Sequence, residues 1–168
     1  MNVFDFAMDM ERSGIQYYRQ LAKRAEQEGI KRIFTMTATD ETRMLERLQA
    51  LKGRIQHTTM ENSRALDFAD NIFQELKGAD PPKLETDIDA YGYVVEIEKS
   101  VCRLYEKAAA SEPNEEVRTL LRRIVEEERE ELDSLQNLYD FVNAPNEYLA
   151  WGEFSNLDEF RNFGRYEG

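Results

Sequence analysis

Cysteine and histidine are nearly absent from this chain, which holds one of each, Cys102 and His57, among 168 residues. A lone cysteine cannot close an internal disulfide, so the cross-linked secreted scaffolds are excluded and a reducing cytoplasm is the expected setting. No apolar run approaches the ~20 residues of a membrane span, and the opening Met1-Asn2-Val3-Phe4-Asp5 lacks the basic and apolar regions of a signal peptide. Positive charge is scarce too. There are 22 Lys plus Arg against 34 Asp plus Glu, a formal net charge of −12. Nucleic-acid phosphate and anionic membrane surfaces want clustered positive charge, so neither is an expected partner, whereas cations are attracted. What is present suffices for a single folded domain: 41% of the residues are hydrophobic and 33% charged.

Periodicity predicts four long helices. Over residues 2–28, Phe4, Ala7, Met8, Glu11, Ile15, Tyr18, Leu21, Ala22 and Ala25 share one face, with Asn2 as N-cap and Gly29 as the break after the last turn. A second stripe over residues 30–56 runs Ile33, Phe34, Thr37, Glu41, Met44, Leu45, Leu48, Leu51 and Ile55. The short connection makes this pair antiparallel. Residues 57–85 form a long crossover, with one short helix over 65–76 that the stretch Gly78-Ala79-Asp80-Pro81-Pro82 ends. The third helix covers residues 86–110, with Thr86 and Asp89 as a capping pair, and the fourth covers residues 115–143. The fourth inward stripe includes Val117, Leu121, Ile124, Glu128, Glu131, Leu132, Leu135 and Leu138. Past Pro145 the chain reads as an aromatic tail, residues 144–168, carrying Tyr148, Trp151, Phe154, Phe160, Phe163 and Tyr166. Such a tail packs on the bundle or on a second subunit. A homodimer is the expected assembly.

The chain repeats itself. An offset of 87 residues carries Glu11 onto Glu98, Tyr18 onto Tyr105, Glu41 onto Glu128, Leu45 onto Leu132 and Leu48 onto Leu135. One helix pair has been copied without insertion, and each helix brings one glutamate to its apolar stripe near mid-length. A glutamate on such a face often snorkels outward. Here the shared register runs through both the glutamates and the apolar positions, which favours an interior cluster. Four carboxylates in a dry core cannot all stay charged: each ion costs several kcal/mol to desolvate, and like charges raise one another's pKa. No lysine or arginine lies on the stripes, so no internal salt bridge is evident. Divalent cations would compensate, and hard or borderline metals prefer such oxygen donors.

A glutamate on each helix, with a second ligand three residues later on helices two and four, is the plan of di-iron carboxylate bundles. The chain resembles the rubrerythrin-like branch of the ferritin-like superfamily. The resemblance rests on Glu11 with Tyr18 and Leu21-Ala22, on Ile33-Phe34 with Asp40-Glu41, on Glu98 with Tyr105, and on Leu120-Leu121 with Glu127-Glu128. It covers residues 2–56 and 86–143. It implies an all-α, ferritin-like antiparallel four-helix bundle with a long crossover between helices two and three. It also implies two metal ions, iron by family and manganese or zinc as alternatives, with Glu41 and Glu128 bridging and Glu11 and Glu98 each capping one. The family's histidines are replaced here by Met44 and Glu131. Glu131 still offers oxygen; Met44 is a poor partner for iron and reads as core filling. His57, about four turns beyond Glu41, is too distant to substitute and reads as a surface residue. The ligand set is thus Glu11, Glu41, Glu98, Glu128 and Glu131. Function is then an oxidoreductase acting on peroxide or dioxygen, with an external electron donor because CxxC pairs are lacking, or a bundle that has lost its metal and serves association. Tyr18 and Tyr105 are either hydrogen-bond donors to the ligands or edge-packing aromatics. Cys102 reads as a small buried hydrophobe.

Overall fold

The computed structural model describes residues 1–54 and 62–163, with side chains described up to residue 147. His57 and Tyr166 lie outside the described residues, as do the side chains of Tyr148, Trp151, Phe154, Phe160 and Phe163. Helix α1 is Val3–Arg24 and α2 is Glu28–Arg54. A 3₁₀ turn at Ala65–Phe68 and α3, Ile72–Lys77, lie in the crossover, followed by α4, Asp87–Ser111, and α5, Glu115–Phe163. Among the described residues the chain is an all-α bundle in which α1 packs along α2 and α4 along α5, and the closest backbone approach between the pairs is that of α2 and α4. Among the described residues no helix is long and apolar enough to cross a membrane.

The helix starts follow local chemistry. Asn2 Oδ1 accepts from Asp5 N at 3.1 Å, satisfying one of the free N–H groups that open α1. Thr86 and Asp89 form a reciprocal capping box at α4, as the sequence predicts: Thr86 Oγ1 accepts from Asp89 N at 3.1 Å, and Asp89 Oδ2 accepts from Thr86 N at 2.9 Å. Asn114 Oδ1 accepts from Glu116 N at 3.0 Å and opens α5.

Four expectations are corrected. Gly29 does not end α1; it lies inside α2, and no described residue has a positive φ. Its smallness is what matters, since a Cβ there would lie 2.1 Å from Asp87 Oδ1 at the start of α4. The crossover helix over 65–76 is two pieces, because Asn71 caps α3 afresh by accepting from Phe73 N at 3.1 Å. Leu138 is 40% exposed rather than inward. Finally, α5 does not stop before Pro145 but continues through it to Phe163. Proline's fixed φ is helical, and the bond it forfeits is the one to the carbonyl of Phe141. That stretch is open, with Phe141 79% exposed, so water replaces the lost donor. The fourth rod therefore carries on into the segment expected to be a separate tail.

The crossover is pinned at two points the periodicity does not single out. Buried Glu112 accepts from Ser63 Oγ at 2.6 Å and from Asn114 N at 3.1 Å, tying the crossover to the α4–α5 turn. Phe73, 1% exposed, packs its ring against Tyr17 and Tyr18 at centroid distances of 6.0 and 5.6 Å. It sits directly over Gly14, where a Cβ would come to 2.9 Å from Phe73 Cζ and 3.2 Å from Glu41 Oε2. Alanine raises helix propensity by at most about 1 kcal/mol. Overpacking a ring held by two tyrosines costs about 1–3 kcal/mol. Gly14→Ala is therefore expected to lower stability by about 1 kcal/mol net, read as a lower urea midpoint at unchanged slope; a raised midpoint would refute this packing.

Candidate metal centre

Each long helix brings one glutamate inside. Glu11 on α1 is 2% exposed, Glu41 on α2 is 5%, and Glu98 on α4 and Glu128 on α5 are 6% each. The reason is the register seen in the sequence: each occupies a helix face whose neighbours one turn away are buried, Ala7 and Ile15 beside Glu11, Thr37 and Met44 beside Glu41. Burial pushes all four carboxyls up, Glu11 to about 7 and Glu98 to about 8, with Glu41 and Glu128 well above the usual carboxylate range. Mutual repulsion adds to this for Glu41 and Glu128. Glu41 is among the neighbours that shift both Glu11 and Glu98, so the acids of the two halves act on one another.

The tyrosines divide. Tyr18 is fully buried, stacks on Phe34 at 6.3 Å, and donates its hydroxyl to Glu98 Oε1 from the other half of the bundle. It is a donor to the cluster, which resolves the two readings for this residue. Its repeat partner Tyr105 is equally buried, but its hydroxyl has no hydrogen-bond partner among the described residues. One oxygen of Glu128, Oε1, is likewise buried and unpartnered. A buried polar atom left unpaired costs about 1–3 kcal/mol.

Glu131 stands at the edge. Its side chain is 15% exposed, and Arg47 Nη2 lies 3.6 Å from its Oε2. Burial pushes Glu131 up to about 7 and Arg47 opposes that shift. No stripe position holds a cation, but an arginine beside the stripe is long enough to lay its guanidinium along the seam. Met44 is fully buried core. Cys102 is buried too, its thiol pushed up to about 11 by burial and by Glu106, so it stays protonated near neutral pH.

Among the described residues, no three His, Cys, Asp or Glu groups are arranged to hold one ion as they stand. The Glu98 carboxyl is turned towards Tyr18. The donor chemistry nevertheless fits a hard cation: the interior set is all oxygen, it is sealed from water, and Glu128 Oε1 is left over after the protein's own bonds are made.

Fold and site define a helical bundle with a carboxylate interior. The chain belongs to the rubrerythrin family, whose model matches residues 2–139, all but the far end of α5. Among solved structures it is similar to a candidate ferritin-like diiron-carboxylate protein from Thermotoga maritima, at 22% identity over 83% of this chain and 95% of that one, with a TM-score of 0.49. No curated protein matches the chain.

Proposed function

We propose that the protein binds two metal ions through Glu11, Glu41, Glu98, Glu128 and Glu131, and that iron there supports oxidoreductase chemistry on peroxide or dioxygen. The observation that carries this reading is the pair of unpartnered polar atoms, Glu128 Oε1 and Tyr105 Oη, inside a sealed cluster of four acids. Family membership supports it. Iron, when bound, would supply the redox chemistry. The chain's own residues do the rest. The carboxyls would hold the cation and give up their protons as it binds. Tyr18 orients Glu98 through its hydroxyl. The aromatic and aliphatic packing of Phe34, Met44 and Leu121 excludes water. Electrons must come from an external donor, because one cysteine makes no electron-transfer cluster.

A second reading has its own support: among the described residues no three acids are arranged to hold one ion, and Met44 occupies a second-ligand position. On that reading the bundle is an association module, a homodimer in its simplest form, without catalytic metal. Anaerobic ferrous titration of chelator-treated protein separates the two. The metal reading expects saturable heat with proton release, and a melting temperature that rises with ferrous, manganous or zinc ion; a ligand at a hundred times its Kd stabilises by about 2.7 kcal/mol. No heat and no shift would leave the association module.

A further inference from the structure

One of the five acids is not sealed. Glu131 keeps part of its carboxylate open on the seam between α2 and α5, and Arg47 lies across that opening. Arg47 Nε is 3.4 Å from Glu127 Oε2 and its Nη2 is 3.6 Å from Glu131 Oε2, so one guanidinium ties α2 to two places a turn apart on α5. Clefts of about 180 Å³ and 250 Å³ flank it. The first has Met44 and Ile124 in its floor; the second is lined by Asp40, Glu130 and Glu131; Arg47 lines both. Arg47 is thus the partition between two solvent clefts, one reaching Glu131 and the other reaching Met44, one helical turn from Glu41. On the crossover side the Phe73 ring and Glu41 Oε2 both lie over Gly14.

We propose that the α2–α5 seam is the port by which a divalent cation reaches the interior acids, and that Arg47 is its gate. The inference rests on the metal-binding reading above. Arg47 is the resident countercharge of Glu131 until the incoming ion displaces it. Its two contacts are longer than the 2.7–3.2 Å of a good hydrogen bond, and its side chain is 50% exposed, so the pair is a weak surface one that a doubly charged ion displaces. Acid and base balance at the mouth: Asp40 pairs with Arg43 and Glu127 with Arg47, and Arg54 and Arg123 line the first cleft.

The test follows zinc transfer from a chromophoric chelator into the full-length, metal-free protein at neutral pH by stopped flow. Arg47→Ala should take up zinc roughly fivefold faster, the factor corresponding to release of one weak ion pair. Arg43→Ala is the control. It removes the same charge from the same cleft, but Arg43 pairs with Asp40 on its own helix at 2.7 Å and does not cross the seam. Its rate should match the parent. An unchanged rate in Arg47→Ala overturns the gate, and so does equal acceleration by both variants, which would mark a general field effect. If the parent takes up no zinc at all, the metal-binding reading itself fails and the gate falls with it.

Discussion

The double variant Glu41→Gln with Glu128→Gln should lose the divalent-cation rise in melting temperature altogether and, without metal at pH 8, should be more stable than the parent. Both halves have one cause. Glu41 and Glu128 are buried acids whose carboxyls are held well above the ordinary range by desolvation and by neighbouring acids. At pH 8 the unfolded chain carries them ionised, while the fold must either hold a proton on each or bury charge. Each pKa unit of that difference costs about 1.4 kcal/mol. Glutamine keeps the shape and removes the titration. Some of the gain is lost because the new amide N–H groups need partners, so a net stabilisation of about 2 kcal/mol at pH 8 is expected, fading towards pH 4.5. For a chain of this size, that is a rise of about 4–8 °C. Calorimetry on both proteins, with and without zinc or manganese, reads both effects. A double variant that still responds to metal as the parent does would show that these carboxyls hold no ion.

Stability of the metal-free protein should fall by about 3 kcal/mol or more between pH 5 and pH 8. In the fold, Glu11 is pushed up to about 7, Glu131 to about 7 and Glu98 to about 8, from an ordinary value of 4.5. A carboxyl raised in the fold binds its proton more tightly there than in the unfolded chain. Between about pH 4.5 and 8 the folded state therefore carries more protons, and stability declines as pH rises through that window. Below pH 4.5 the slope reverses, because Glu112 is held low by its bonds from Ser63 and the Asn114 backbone, and protonating it weakens the fold. A maximum near pH 5 follows. Saturating zinc should flatten or invert the decline, since the ion takes the place of the protons and binds better as pH rises. Urea midpoints at pH 5, 6, 7 and 8 measure the curve. A metal-free protein equally stable at pH 5 and pH 8 would show that these acids do not share a dry interior.

Much of this was legible from the residues in order. The 87-residue register between Glu11 and Glu98 and between Glu41 and Glu128 singles out the four acids by itself, because helical periodicity turns sequence position into direction. The capping pair at Thr86 was equally plain, since it involves neighbours alone. A local rule yields where the surroundings, a distant neighbour or open solvent, decide instead. Gly29 looked like a helix stop and is instead a place where Asp87 leaves no room for a Cβ. Pro145 looked like a terminus, yet it sits on an open helix surface where water can serve the freed carbonyl.

The residues alone, then, determined four amphipathic rods in two copies and one acid inside each, because burial of a periodic stripe is a property each helix carries by itself. Tertiary structure decided what those acids meet. It set Tyr18 against Glu98 across the halves, left Tyr105 and Glu128 Oε1 unpartnered, and laid Arg47 over Glu131. Periodicity says which way a side chain faces; only the packing of one rod on another says what stands opposite.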